Sequence, residues 1–180
     1  MGTAVFLVAG AIAFGGGCLA RSRYERDCLV TEEYRIVSEK IHGPGKTIVF
    51  LTDLHNKEFG DQNCRLLDAV RKVKPDAVLS GGDGMVAKKG NSDVEIPRKL
   101  LTELAKEFPV YCGNGNHECR MVWKSDIYGA AYENYQAALE NAGIRYLANG
   151  SADLDGEIRI YGLDLPKSAY LPRSGQIPEN

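Results

Sequence analysis

Residues 47–56 read Thr47-Ile48-Val49-Phe50-Leu51-Thr52-Asp53-Leu54-His55-Asn56, a strand signal running straight into a polar cluster. The first half is a short, continuous apolar run, which predicts a strand buried on both faces, as in a parallel sheet. The second half places a carboxylate and an imidazole directly at the strand's end. The same unit recurs downstream. Ala77-Val78-Leu79 runs into Ser80-Gly81-Gly82-Asp83-Gly84, and Pro109-Val110-Tyr111-Cys112 runs into Gly113-Asn114-Gly115-Asn116-His117-Glu118. Between these strands, residues 61–73 carry Leu66, Leu67, Val70 and Val73 on one helical face, with Pro75 and Asp76 as a stop. Residues 96–107 form a second helix around Leu100, Leu101 and Leu104. A loop through Trp123 leads to a third helix at about 129–142, with Tyr132, Tyr135 and Leu139 facing inward. Strands at 144–147 and 157–162 follow, with a turn at Asp155-Gly156. Strands alternating with helices make an α/β protein with a parallel sheet.

In such a sheet the carboxyl ends of all strands lie on one edge, and ligands bind there. The steps from 53 to 83 and from 83 to 116 are each about one strand–helix–strand unit, so the three polar clusters meet in space. Taken singly, each has a bland reading. Asp-x-His is common by chance, Gly-Gly-Asp is an ordinary turn, and Gly-Asn-Gly-Asn reads equally as a loop. Together they offer two carboxylates, an amide oxygen and two imidazoles, a donor set suited to hard or borderline divalent ions.

Asp53-Leu54-His55, Gly82-Asp83 and Gly115-Asn116-His117-Glu118, each after its strand, resemble the motifs of the calcineurin-like metallophosphoesterase superfamily. The resemblance runs from about Thr47 to Leu163 and is closest to the membrane-anchored bacterial branch. It implies a layered α/β sandwich holding two divalent ions (Mn, Fe, Zn or Mg) and hydrolysis of a phosphomono- or phosphodiester by metal-bound hydroxide. Asp53 and His55 would ligate the first ion, Asp83 would bridge both, and Asn116 would ligate the second. His117 would contact the phosphoryl group and protonate or stabilise the leaving oxygen. Glu118 would sit behind them and orient His117 or its loop. Gly82 and Gly115 would permit close backbone approach or serve as plain turn residues.

The resemblance also implies distal histidines. The chain has three in total, His42, His55 and His117, and His42 precedes the first core strand. The expectation is therefore a phosphoesterase domain truncated after its first half, with a weakly held second ion. Two alternatives stand beside it: a catalytically silent membrane-anchored fragment that binds a metal ion or phosphate, and one half of a split enzyme whose missing carboxy-terminal part comes from elsewhere. Asp153, Asp155, Glu157 and Asp164 are substitute carboxylates or solvated turn residues, with Asp164 nearest the right edge. Cys112 and Cys119 read as core thiols, since their spacing fits no zinc pattern. Lys88 and Lys89 meet substrate phosphate or form a wet loop. Trp123 and Tyr128 line a cleft or anchor their loop.

Composition narrows the classes. Among 180 residues there are 22 basic and 24 acidic side chains, for a net charge of −2. With signs interspersed, there is no basic field for nucleic acid. Nine Tyr, five Phe and one Trp exclude a disordered chain. Five cysteines at irregular spacing argue against a disulfide framework. Residues 1–20 carry no charge and approach the length of a bilayer span, and Arg21, Arg23 and Arg26 follow at once. The expectation is a single-pass transmembrane anchor at 1–20 with the domain in the cytoplasm. A cleaved or lipidated signal using Cys18 and a buried helix are its rivals. Residues 21–46 form a connector with an edge strand at Tyr34–Ser38, and residues 47–180 form the incomplete phosphoesterase domain.

Overall fold

The computed structural model describes residues 2–89 and 91–170, and the side chains of these other than 2–9, 11 and 170. The loop expected at 171–180 lies outside the described residues. The chain divides into two compact units, Met1–Tyr34 and Arg35–Asn180.

The first unit is built on helix α1 (Gly2–Asp27). The expected transmembrane anchor, and the single-pass, cytoplasmic placement built on it, are corrected here. Among the described residues no helix is long and apolar enough to cross a membrane. The described side chains of α1 begin with a few small and apolar residues, pass through Gly15-Gly16-Gly17, and end in Arg21, Arg23, Glu25, Arg26 and Asp27. Arg21 and Glu25 pair across one helical turn at 2.7 Å, the spacing at which helical side chains meet.

The second unit opens with an exposed segment that is neither helix nor strand. The edge strand expected at 34–38 does not form. Tyr34, Ile36 and Val37 are 81–88% exposed, and an alternating run gains little unless one face is buried. The sheet starts at β1 (Ile48–Leu51), followed by α2 (Cys64–Val73), β2 (Ala77–Ser80), α3 (Glu95–Ala105) and β3 (Val110–Cys112). Then come α4 (Asn116–Trp123), α5 (Ser125–Tyr128), α6 (Ala131–Asn141), β4 (Arg145–Tyr146), β5 (Ser151–Asp153) and β6 (Arg159–Tyr161).

Strands β1 to β4 form one parallel sheet in that order. Leu66, Leu67 and Val70 of α2, Leu100, Leu101 and Leu104 of α3, and Tyr135 and Leu139 of α6 are all buried. Helices α3 and α6 pack on each other, α3 on β3 and α6 on β4. Strands β5 and β6 pair antiparallel as a separate hairpin. Its Ala152 and Ile160, with Leu154 between the strands, pack against Ala77, Tyr111 and Leu147, which makes a second layer.

Further elements depart from the sequence reading. Residues 116–123, expected as loop, form α4, because Glu118 in its first turn reaches back to the Gly115 backbone N–H at 3.0 Å and stabilises the helix start. Strand β5 is short and polar, and owes its existence to pairing with β6. For function, the register matters most. Leu51 pairs with Ser80, and Ser80 with Cys112, so three strands end on one rung. Asp53, Asp83 and Asn116 follow that rung by only a few residues, and the topology delivers them to one place.

Candidate metal centre

Past the last rung, the first two loops continue to pair. Asp53 N–H donates to Gly82 O at 3.2 Å, His55 N–H to Asp83 O at 3.0 Å, and Asn56 N–H to Gly84 O at 2.8 Å. To make these bonds Asp53, His55, Asn56 and Asp83 adopt left-handed backbone, with φ of 56°, 50°, 60° and 52°. Asp, Asn and His tolerate this region best among non-glycine residues, yet it stores strain, and such strain clusters at functional sites.

The strained residues gather their side chains. One ligand atom each from Asp53, His55 and Asp83 lies within 4.8 Å of the others, and among the described residues this is the cluster that could hold a metal ion. His55 Nε2 stands 3.5 Å from Asp53 Oδ1. Asp53 and His55 are open to solvent, whereas Asp83 is 8% exposed. Asp83 Oδ1 accepts the His117 backbone N–H at 2.7 Å in the first turn of α4, where the helix dipole favours a negative charge.

Asn116 lies against the same carboxylate. With its nitrogen toward Asp83, the amide donates to Oδ2 at 2.9 Å, and its oxygen accepts from His117 N–H at 3.2 Å. With its oxygen toward Asp83, two acceptors face each other at that separation. A cation between them would reconcile the second orientation. Oxygen and imidazole donors of this kind, clustered at the open edge of a sheet, fit a divalent ion.

His117 is 7% exposed, and its ring meets that of His55 edge-on with centroids 5.0 Å apart. Burial holds its pKa below the ordinary value; the Asp83 charge opposes this, and the Arg120 and His55 charges add to it. Its Nδ1 accepts the Ala87 N–H at 3.0 Å. A neutral imidazole accepting at Nδ1 carries its proton on Nε2, so His117 is a hydrogen-bond donor on its other side.

Glu118 is 1% exposed. Its carboxylate accepts from three backbone groups: Asp83 N at 2.8 Å, Gly115 N at 3.0 Å and Gly84 N at 3.2 Å. It binds the second loop to the third and does not touch the His117 ring through any of these bonds. Burial raises its pKa, and the backbone donors pull it partly back. Gly82 and Gly115 form the seam these bonds close. A Cβ on Gly82 would lie 1.9 Å from Gly115 N, and one on Gly115 would lie 2.4 Å from Asp83 N.

The other candidates are engaged elsewhere. Asp153 pairs with Arg159 at 2.6 Å, and Asp155 accepts two backbone N–H groups of its own turn. Glu157 accepts the His42 N–H at 3.2 Å, with His42 itself exposed. Asp164 does reach the sheet edge, where it accepts from Asn114 Nδ2 at 2.6 Å. Asn114 also meets Tyr132 and Tyr146, so this polar group braces the third loop from behind. Burial pushes the Cys112 thiol up to about 12 and the Cys119 thiol to about 11, so neither is a thiolate. Lys88 and Lys89 are exposed. Trp123, with Cys119, Val122, Asn149, Asp164, Leu165 and Pro166, lines a cleft of about 300 Å³. The sequence reading missed Arg120. Its signal was the spacing of three residues from His117, which carries meaning only once residues 116–123 are a helix.

The fold and the donor cluster define an α/β protein with a candidate divalent-metal site at the carboxyl edge of its parallel sheet. The family model for calcineurin-like phosphoesterases matches residues 46–173, and the chain belongs to that family. No curated protein and no solved structure matches it.

Proposed function

We propose that the chain is a metal-dependent hydrolase of phosphomono- or phosphodiesters. The observation that carries this reading is the meeting of Asp53, His55 and Asp83, within 4.8 Å of one another, beside a neutral His117 that presents a donor. Asp53, His55 and Asp83 would hold one divalent ion, and Asp83 with Asn116 a second, less firmly held one. Mn²⁺, Fe²⁺, Zn²⁺ and Mg²⁺ all suit these donors. Bound there, the ions would supply charge neutralisation at the phosphoryl oxygens and acidify a water.

The chain's own residues do the rest. His117 Nε2–H donates to a phosphoryl or leaving-group oxygen, and its low pKa keeps the ring neutral. Asp83 fixes the His117 backbone through Oδ1. Glu118 holds the Asp83 loop, together with Gly82 and Gly115, at the separation the cluster needs. Asn116, whose amide lies against the Asp83 carboxylate, would offer its oxygen to help hold the second ion.

A second reading has its own support. Asn116 and Asp83 alone give the second ion few protein donors, and Phe50, Tyr161 and Leu163 are 62–74% exposed. Such a chain binds a single ion silently, or is completed by a second polypeptide that covers these apolar residues and adds donors.

The test is hydrolysis of an aryl phosphodiester by the full chain with added Mn²⁺, alongside Asp83→Ala and His117→Ala. Metal-dependent turnover abolished in both variants supports the hydrolase. No turnover above the variants, in a chain shown folded by circular dichroism, defeats it in favour of the second reading.

A further inference from the structure

The segment after Asp83 runs back past the site, and one residue of it is gripped from both sides. Ala87 is fully buried. Its N–H donates to His117 Nδ1 at 3.0 Å, and its carbonyl accepts from Arg120 Nη1 at 3.0 Å. His117 and Arg120 stand three residues apart on α4, one turn along the same side. Helix α4 therefore holds Ala87 between two of its own side chains. Immediately beyond, Lys88 and Asn91 exchange backbone hydrogen bonds of 3.1 and 2.8 Å, which closes the loop independently.

Arg120 is half-buried and has no carboxylate partner among the described residues. Here the hydrogen bond the structure shows goes to a neutral carbonyl, and a charge-assisted bond of that kind is roughly twice as strong as a neutral one.

We propose that Arg120 is a positioning residue: through Ala87 it locks the His117 imidazole in the tautomer whose proton sits on Nε2. The inference rests on the proposed function for its kinetic consequence only, because the lock itself is a property of the protein without substrate. Arg120 grips the Ala87 carbonyl, Ala87 keeps its N–H on Nδ1, and the ring is left with one usable donor at a fixed angle.

The experiment compares the full chain with Arg120→Met, which keeps the packing stem and loses the donors, and Arg120→Lys, which keeps a cation. At pH 8 the ¹⁵N imidazole shifts of His117 report the tautomer, and amide hydrogen exchange reports the Ala87 bond. Losing a hydrogen bond to a charged group corresponds to about tenfold or more in opening. Arg120→Met is therefore expected to speed Ala87 exchange about tenfold or more and to mix the Nδ1–H form into the His117 signal. Arg120→Lys is expected to restore both in part, and core amides such as Val78 should not change. Where the chain turns over an aryl phosphodiester, kcat falls and KM holds. Unchanged His117 shifts and Ala87 exchange in Arg120→Met overturn the proposal, as does a loss of protection spread equally over the core. A wild-type chain without turnover would end the hydrolase reading, and the shifts and exchange rates would still decide Arg120.

Discussion

Replacing Glu118 with alanine tests whether one buried carboxylate holds the second and third loops together. The substitution leaves the N–H groups of Asp83, Gly84 and Gly115 without their acceptor. A buried donor left unpaired costs about 1–3 kcal/mol, which gives about 2–6 kcal/mol for Asp83 and Gly84, with a smaller addition for the partly buried Gly115. Two effects reduce this. Water entering the vacated space recovers part of the bonding, and the fold is relieved of a buried charge whose ionisation burial already disfavours. The net expectation is a loss of about 3–5 kcal/mol, a large share of the roughly 5–15 kcal/mol that holds a typical domain.

Glu118→Gln separates the bonds from the volume. Its oxygen can still accept from Asp83 and Gly115, while its NH₂ group faces the Gly84 N–H, donor to donor. With one bond lost and the charge relieved, the cost should be about 1 kcal/mol. The pH dependence has a fixed sign. The native state holds the Glu118 proton more tightly than the unfolded chain does, so wild-type stability falls relative to Glu118→Gln as pH rises above about 4.5. The assay is urea unfolding followed by circular dichroism at several pH values, with linear extrapolation. An alanine variant within about 1 kcal/mol of wild type, or a glutamine variant as damaged as the alanine one, would show that Glu118 does not hold the loops through these bonds.

Gly82→Ala should lower stability by about 3 kcal/mol or more, since its Cβ would fall 1.9 Å from Gly115 N at a φ of +86°; a thermal melt measures it. In the native chain Cys112 and Cys119, 2% and 4% exposed with raised thiol pKa values, should resist iodoacetamide at pH 8 while Cys64, which is exposed, reacts; mass spectrometry of the alkylated peptides gives the answer. His117 binds its proton less readily when folded than when unfolded, so stability should drop as pH falls below about 6.5. His117→Gln should flatten that slope in the same unfolding assay.

The legible parts of this chain are those whose sequence pattern and burial coincide. Ala77-Val78 and Val110–Cys112 are apolar because both sheet faces are covered there, and the run of residue types says so directly; Ile48–Leu51 is equally apolar but only partly covered, with Phe50 exposed. Helix α2 shows its buried Leu66, Leu67 and Val70 at helical spacing for the same reason. Helix α4 was hidden because Gly113-Asn114-Gly115-Asn116 has the composition of a turn, and because its start depends on a carboxylate whose other partners are about 35 residues away. A polar strand such as Ser151–Asp153 shows itself only through its neighbour. The amino-terminal run misled for a different reason. A count of uncharged residues measures length, whereas the described side chains of α1 include a glycine run and a charged end.

The candidate site was legible as residue types but not as an interlock, and the interlock explains why those types sit where they do. Four residues in left-handed backbone, Asp53, His55, Asn56 and Asp83, each cost about 1–3 kcal/mol. Their own backbone bonds across the two loops offset part of that, and the Glu118 carboxylate offsets more by holding the second loop through three N–H groups. The backbone therefore does the holding. The Asp53 and His55 side chains stay exposed and loosely engaged, with Thr52 Oγ1 on one Asp53 oxygen and the His55 ring near the other. A fold that needed these side chains for stability would have buried and paired them. Here the stabilising bonds run through peptide groups and one buried glutamate, and the carboxylate and imidazole groups at the rim are left available to bind a ligand.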